Sequence, residues 1–219
     1  MKGERLTQLA GFGAARMAAA TVLLSPYIPL LFMGEEYGET APFLYHVSHS
    51  DPELQEAVRR GRKEEFTGFR DQGEPPDPQH ESTFLASKLN HGLLSDETHA
   101  AMHRWYSELI RLRTSLPALR SLSKDRTVAE CQEESESLIV RRLSAGDQVV
   151  MILHFGHDDR ELQVYLPAGE WSVILDSEDT RWGGAGSRPA HQPCRSPGGC
   201  VAVPVRARAC LVLLNVMTV

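Results

Sequence analysis

The run Ile28-Pro-Leu-Leu-Phe-Met33 carries no polar side chain and stops at Gly34-Glu35-Glu36-Tyr37-Gly38-Glu39. Apolar continuity, rather than alternation, marks a strand covered on both faces, which mainly means a parallel strand of an α/β protein. The stretch before it, residues 6–24, is Ala-rich and apolar on more than one side, as in a helix packed deep in a larger body. Ser25-Pro26 ends that helix, because the residue before proline is pushed out of the α region. Helix, short turn, buried strand and glycine make one unit of an α/β fold, and the chain supplies it once. A parallel strand needs neighbours on both sides. The chain therefore reads as if it starts in the middle of such a domain.

Further helices follow. Asp51-Pro52 combines an N-cap acid with proline at the first helical position, and the helix runs to about Phe66. Residues 68–82, marked by EPPDPQ, form a long loop. Ser95 is expected to cap a strong helix, with Asp96 and Glu97 in its first turn. Met102, Trp105, Tyr106, Leu109 and Ile110 give that helix a broad apolar face, and Leu116-Pro117 ends it.

From about Arg126 the texture changes to short β-type runs: 127–131, 138–143, 148–155, 161–166, 171–175, 200–205 and 209–214. Turn signals divide them at Ala145-Gly146-Asp147, His157-Asp158-Asp159, Pro167-Ala168-Gly169 and Pro197-Gly198-Gly199. Strands without helices between them argue for an antiparallel sandwich. The expected organisation is an incomplete α/β part over residues 1–120 and an all-β domain over 126–219. The second is long enough for a core of its own.

Composition narrows the function classes. Twenty-three Lys and Arg against 29 Asp and Glu give a net charge of −6, which argues against a nucleic-acid or anionic-membrane binder. The basic run Arg59, Arg60, Arg62 and Lys63 lies among glutamates and reads as a solvated helix face. The apolar stretch 18–33 is interrupted by two prolines and is too short to span a bilayer. With no secretion signal at the start, a cytoplasmic protein is the expectation. Cys131, Cys194, Cys200 and Cys210 show no C-x-x-C pair, so zinc is poorly supported. Cys131 and Cys210 fall in strand-like runs as small hydrophobes, whereas Cys194 and Cys200 flank a loop and have the option of pairing. No cofactor or metal is expected: His99 and His103 are four apart but lack an H-E-x-x-H frame. Gly11-Phe12-Gly13 lies inside a helical stretch, not after a strand.

Glu35 and Glu36 carry the strongest site signal. Ligands of α/β folds sit at the carboxyl ends of strands, so acids there are candidates for substrate contact. They serve equally well as an ion-pair partner or the cap of a following turn. On an extended segment they point to opposite faces and are badly placed to share one scissile bond. Trp171 reads as core, and Trp182, on a loop, as a candidate sugar or domain contact.

The stretch SPYIPLLFMGEEYGETAPFLYHVSHSDPELQEAVRRGRKEEF resembles malto-oligosyltrehalose trehalohydrolases, glycoside hydrolases of the α-amylase superfamily. EPPDPQ, Thr83-Phe84, Ser87-Lys88-Leu89-Asn90, YSELIRLR and the run from Leu175 to Gly184 extend the resemblance over the whole chain. It implies a (β/α)8 barrel remnant, with residues 28–33 as the eighth strand, followed by a β-sandwich. It also implies α-glucan or maltooligosyl trehalose as substrate, and Glu35, Glu36 and Tyr37 as lining of the substrate face. Such enzymes carry their catalytic Asp, Glu and Asp on strands four, five and seven, upstream of a Gly-Glu-Arg-Leu run. Here that run is Gly3-Glu4-Arg5-Leu6, so no catalytic residue carries over and an isolated chain is expected to be inactive. Two other readings stand beside this one. One is a non-catalytic sandwich that binds α-glucan or docks on a partner. The other is a remnant of a glycogen branching enzyme, which usually has Gln where Glu35 stands. Exposed barrel edges imply self-association.

Overall fold

The computed structural model describes residues 3–66, 74–187 and 193–216. Five helices come first: α1 (Leu6–Leu23), α2 (Pro52–Glu65), α3 (Glu81–Ala86), α4 (Glu97–Ser115) and α5 (Pro117–Arg120). Eight strands follow: β1 (Thr127–Gln132), β2 (Ser137–Leu143), β3 (Asp147–His154), β4 (Arg160–Leu166), β5 (Gly169–Asp176), β6 (Cys194–Ser196), β7 (Gly199–Val205) and β8 (Ala209–Val216). They form an antiparallel six-stranded sheet in the order β1-β2-β3-β8-β5-β6 and a two-stranded sheet, β4-β7.

The six-stranded sheet is the middle layer of three. Ile139, Val150, Ile152, Leu211 and Leu213 face Leu162, Val164, Leu166, Val203 and Val205 of the smaller sheet, around Trp171. On its other face Val149, Met151, Leu153 and Val212 pack against Leu23, Leu24, Trp105, Leu109 and Leu119. This double burial explains the Val-Val-Met-Ile-Leu run of β3 and the Leu-Val-Leu-Leu run of β8, which lack alternation although their neighbours are antiparallel. It also means that the β part shares its core with the helices. The expectation of a separate core after residue 126 meets a sheet face that would return to water.

The expected strand at residues 28–33 is absent. The segment is irregular, and Ile28 and Leu30 are 84% and 90% exposed. No described strand lies beside it, so no ladder covers Ile28 and Leu30, while Phe32 packs edge to face on Phe43, 4.9 Å between centroids. Its entry is nevertheless fixed. Arg113 donates to the carbonyls of Ser25 (2.8 Å) and Tyr27 (2.6 Å), and Arg142 of β2 donates to the carbonyl of Leu24 (2.7 Å). These guanidiniums satisfy the carbonyl of the C-cap residue Leu24 and two carbonyls of the turn that follows α1.

Smaller corrections follow local chemistry. α1 is interrupted at Gly11, whose φ of 82° is non-helical. The cap of α4 is Asp96, not Ser95, since its carboxylate accepts the Thr98 N–H at 2.9 Å. Residues 68–73 of the expected long loop lie outside the described residues, and Glu81 and Ser82 belong to α3. β6 was not expected, because Cys194-Arg195-Ser196 has no apolar signal. All four cysteines are free, and Cys131 is exposed although it lies in a strand. α2 buries none of its residues, and its Arg59, Arg62 and Lys63 pair with Glu56, Asp77, Glu65 and Glu74. No helix among the described residues is long and apolar enough to cross a membrane.

The helices are locked to the sheet at Arg16. Its Nη2 meets Glu178 Oε1 at 2.9 Å, its Nη1 donates to the Trp182 carbonyl at 3.1 Å, and its own carbonyl accepts Trp105 Nε1 at 3.0 Å. Trp105 and Trp182 meet edge to face, 5.5 Å between centroids. Trp182 is therefore a contact between the two parts of the molecule. Removing one partner of a buried ion pair strands the other, at a cost of about 3–5 kcal/mol. Glu178→Ala is expected to lower the urea-unfolding free energy by about 3 kcal/mol, while Arg16→Met with Glu178→Leu is expected to cost clearly less. Equal losses in the two variants would contradict this account.

Candidate functional site

The acid-rich segment after Met33 is a tight turn, not an extended strand end. Gly34 (φ 86°) and Gly38 (φ 71°) are left-handed and bracket a 3₁₀ turn over Glu35–Tyr37. A Cβ on Gly34 would lie 2.6 Å from the Glu39 Cβ, so glycine is required there on both counts.

Glu39 organises the turn. It is fully buried, and its Oε1 accepts the N–H groups of Thr40 and Ala41, both at 2.8 Å. Its Oε2 accepts the Tyr37 hydroxyl at 2.8 Å and the Asn90 N–H at 2.6 Å. Burial pushes this carboxyl up, but the donors from Ala41, Asn90, Tyr37 and Thr40 outweigh it and hold it below the ordinary carboxylate range. Arg5 closes the turn from the other side, donating from Nε to the Ala41 carbonyl (2.9 Å) and from Nη1 to the Met33 carbonyl (2.8 Å).

Glu35 and Glu36 are half-buried on this rigid turn. Glu35 lines a cavity of about 470 Å³ between α1 and the 28–33 segment, and its Oε1 accepts the Tyr106 hydroxyl at 3.3 Å. Burial first, and then the charge of Glu35, push the Tyr106 hydroxyl above its ordinary range, so it stays protonated as a donor. Glu36 lines a different groove, with Leu31, Met33 and His103. The two acids are brought close in sequence but serve separate concavities. Tyr37 is buried, with its hydroxyl committed to Glu39, and His99 is used structurally, its Nδ1 2.8 Å from the Tyr37 carbonyl. No cluster of potential metal ligands occurs among the described residues.

Sequence reasoning missed Glu39, Asn90 and the polar use of Tyr106. The first follows a left-handed glycine, a position at which a side chain can fold back onto the turn. That was the available signal. The second acts through its backbone, and Tyr106 fits an apolar helical pattern whose hydroxyl is silent.

Comparison with known proteins defines the class first. Residues 130–216 match the all-β C-terminal domain of alpha amylases. The chain is 40% identical over 178 residues to the malto-oligosyltrehalose trehalohydrolase of Rhizobium sp. (strain M-11), covering 81% of this chain and 28% of that protein. It is 44% identical over 116 residues to the enzyme of the same name from Arthrobacter ramosus, covering 52% of this chain and 20% of that one. A crystal structure of a putative alpha amylase from Salmonella typhimurium superposes with a TM-score of 0.71 at 30% identity, covering 98% of this chain and 32% of that chain. The chain thus spans less than a third of the length of these relatives. Its sequence is similar to the C-terminal portion of malto-oligosyltrehalose trehalohydrolases, within the α-amylase superfamily of glycoside hydrolases.

The Glu39 hub has a pH signature. A carboxyl depressed in the folded state contributes stability above its unfolded value, 4.5, and loses that contribution as pH falls through the lower folded value. Glu39→Gln leaves two or more of the four donors without an acceptor and is expected to cost about 3 kcal/mol near neutrality. It is also expected to flatten the acid limb of the stability profile below about pH 5. A variant with the wild-type acid limb would show that Glu39 does not set it.

Proposed function

We propose that this chain is the C-terminal portion of a malto-oligosyltrehalose trehalohydrolase, an enzyme class that hydrolyses the α-1,4 bond releasing trehalose from maltooligosyl trehalose. Residues 1–120 would be the end of a (β/α)8 barrel and 126–219 its β-sandwich. The observation that carries the reading is the 40% identity over 178 residues, 81% of the chain, which is too long a match to reside in either part alone. The Gly34–Gly38 turn supports it: a rigid frame presents Glu35 and Glu36 beside open concavities, where sugar hydroxyls find carboxylate acceptors. In this reading Glu35 and Glu36 line the substrate face, and Tyr37 supports them from beneath through Glu39.

The chain by itself is assigned no hydrolytic activity. Glycoside hydrolysis needs an acid and a second carboxylate facing each other across one bond, and Glu35 and Glu36 open into separate grooves. Purified chain incubated with maltooligosyl trehalose is expected to release no trehalose. Joined in frame to the remaining N-terminal portion of the Rhizobium relative, it is expected to release trehalose. There Glu35→Gln is expected to lower kcat/KM about tenfold, the effect of losing one hydrogen bond to a charged group. Release by the chain alone, or an inactive but folded fusion, would overturn the assignment.

A further inference from the structure

A third concavity, of about 540 Å³, is lined by Phe43, Tyr45, His46, Phe84, Lys88 and Leu89. Its size is that of a small-molecule pocket, roughly 300–1,000 Å³. Three aromatic rings stay open to solvent there: Phe43, Tyr45 and Phe84 are 39%, 45% and 46% exposed. Neighbours nevertheless fix them. Phe43 meets His46 edge to face at 6.1 Å, His46 meets Phe84 at 5.3 Å, and the Arg62 guanidinium holds one face of Tyr45 at 4.7 Å. Rings held in place while exposed give up little freedom when a ligand covers them.

Two polar groups stand free among these rings. His46 Nδ1 lies 2.9 Å from the Leu44 carbonyl and donates to it, so in the neutral ring Nε2 is an acceptor, without a partner among the described residues. The Lys88 ammonium, 5.7 Å from the Phe84 centroid, joins no ion pair among the described residues. A donor and an acceptor beside aromatic faces match a pyranose. Its vicinal hydroxyls both donate and accept, and its axial C–H groups, slightly positive, sit against the negative faces of the rings. An acyl chain would leave the imidazole and the ammonium unused, and an anion would find a single cation on an apolar wall.

We infer that this groove binds a glucosyl residue of an α-glucan chain, stacked on Phe84, with His46 Nε2 and Lys88 Nζ on its hydroxyls. The choice of glucan over other sugars rests on the trehalohydrolase reading, while the groove itself uses neither Glu35 nor Glu36. Its wall is tied to the acid-rich turn. Asn90, two residues after Lys88, donates to Glu39, and Met33 lines both this groove and the one that holds Glu36. An oligosaccharide long enough to leave the aromatic groove meets the Glu36 groove beside it.

The test titrates the full chain with maltoheptaose and follows the NMR signals of Phe43, His46 and Phe84. All three are expected to shift and to saturate at millimolar sugar. Phe84→Ala is expected to weaken binding about tenfold and Lys88→Met about fivefold. Both positions are exposed, so the unfolding transitions of the variants are expected to match that of the unmodified chain. Signals unmoved by sugar in a folded chain, or affinity that both variants leave intact, would overturn the proposal. So would shifts that follow the chain's own concentration rather than the sugar's, which would assign the groove to a second copy. The functional assignment is read separately, as trehalose release by the in-frame fusion with the N-terminal portion of the Rhizobium relative. In an active fusion Phe84→Ala is expected to raise KM several-fold, with a smaller effect on kcat. Binding by the chain beside an inactive fusion supports the groove and counts against the trehalohydrolase reading. Release by the fusion, with no binding by the chain and KM unmoved by Phe84→Ala, has the opposite meaning.

Discussion

Burial of the six-stranded sheet on both faces is the constraint from which the rest of the molecule follows. One face is closed by β4 and β7, the other by α1, α4 and α5. A sheet so placed needs strands that are apolar throughout at its centre, and β3 and β8 supply them. It also needs the helices held in one orientation, since a slide along the sheet would lose packing at native density. Arg16 sets that orientation. Its guanidinium reaches Glu178 and the Trp182 carbonyl, while its own carbonyl anchors the indole of Trp105. Asp147 adds a second tie at the opposite end, accepting the Ala118 N–H of α5 at 2.9 Å.

The turn that carries Glu35 and Glu36 inherits its position from this packing. α4 lies on the sheet, and from it Tyr106 reaches Glu35 and His99 reaches the carbonyl of Tyr37. α1 lies beside α4, and the residue before its first turn, Arg5, holds the carbonyls on either side of the turn. Asn90, just before α4, donates to Glu39. The acid-rich turn is thus connected to the β part through helices, with no direct contact needed. The connection runs through α4, where Trp105, bonded to the Arg16 carbonyl, is the immediate neighbour of Tyr106, bonded to Glu35.

Much of this was legible in the sequence, and the exceptions have definite causes. The helices at 52–65 and 97–115, the change of texture near Arg126 and seven of the eight strands follow from periodicity and turn chemistry. β6 did not, since three residues with a lone cysteine give no period. The rule that a continuous apolar run is a strand covered on both faces holds for β3 and β8, and it fails at residues 28–33. The difference lies outside the run itself: among the described residues β3 and β8 find strand partners, and residues 28–33 do not. Trp182 was legible as a contact of some kind, while the choice of a protein partner over a sugar depended on Arg16 and Trp105, remote in sequence. At the candidate site, the acids announced themselves by position. Glu39, the one that matters most for the turn's shape, looked like the third of a series.

Three carboxylates within five residues would repel one another if they shared an environment, and the turn separates them by function. Glu39 is buried under four donors and is neutralised in effect by hydrogen bonds, with Arg5 close by on the other side of the turn. Glu35 keeps one oxygen on Tyr106 and opens toward the cavity. Glu36 turns into the neighbouring groove. A left-handed glycine at each end makes this possible, because it lets the backbone reverse tightly enough for Glu39 to fold back beneath the two acids that precede it. The result is a pair of acceptors held by a framework that does not depend on a ligand. Such preorganisation reduces the ordering cost of binding.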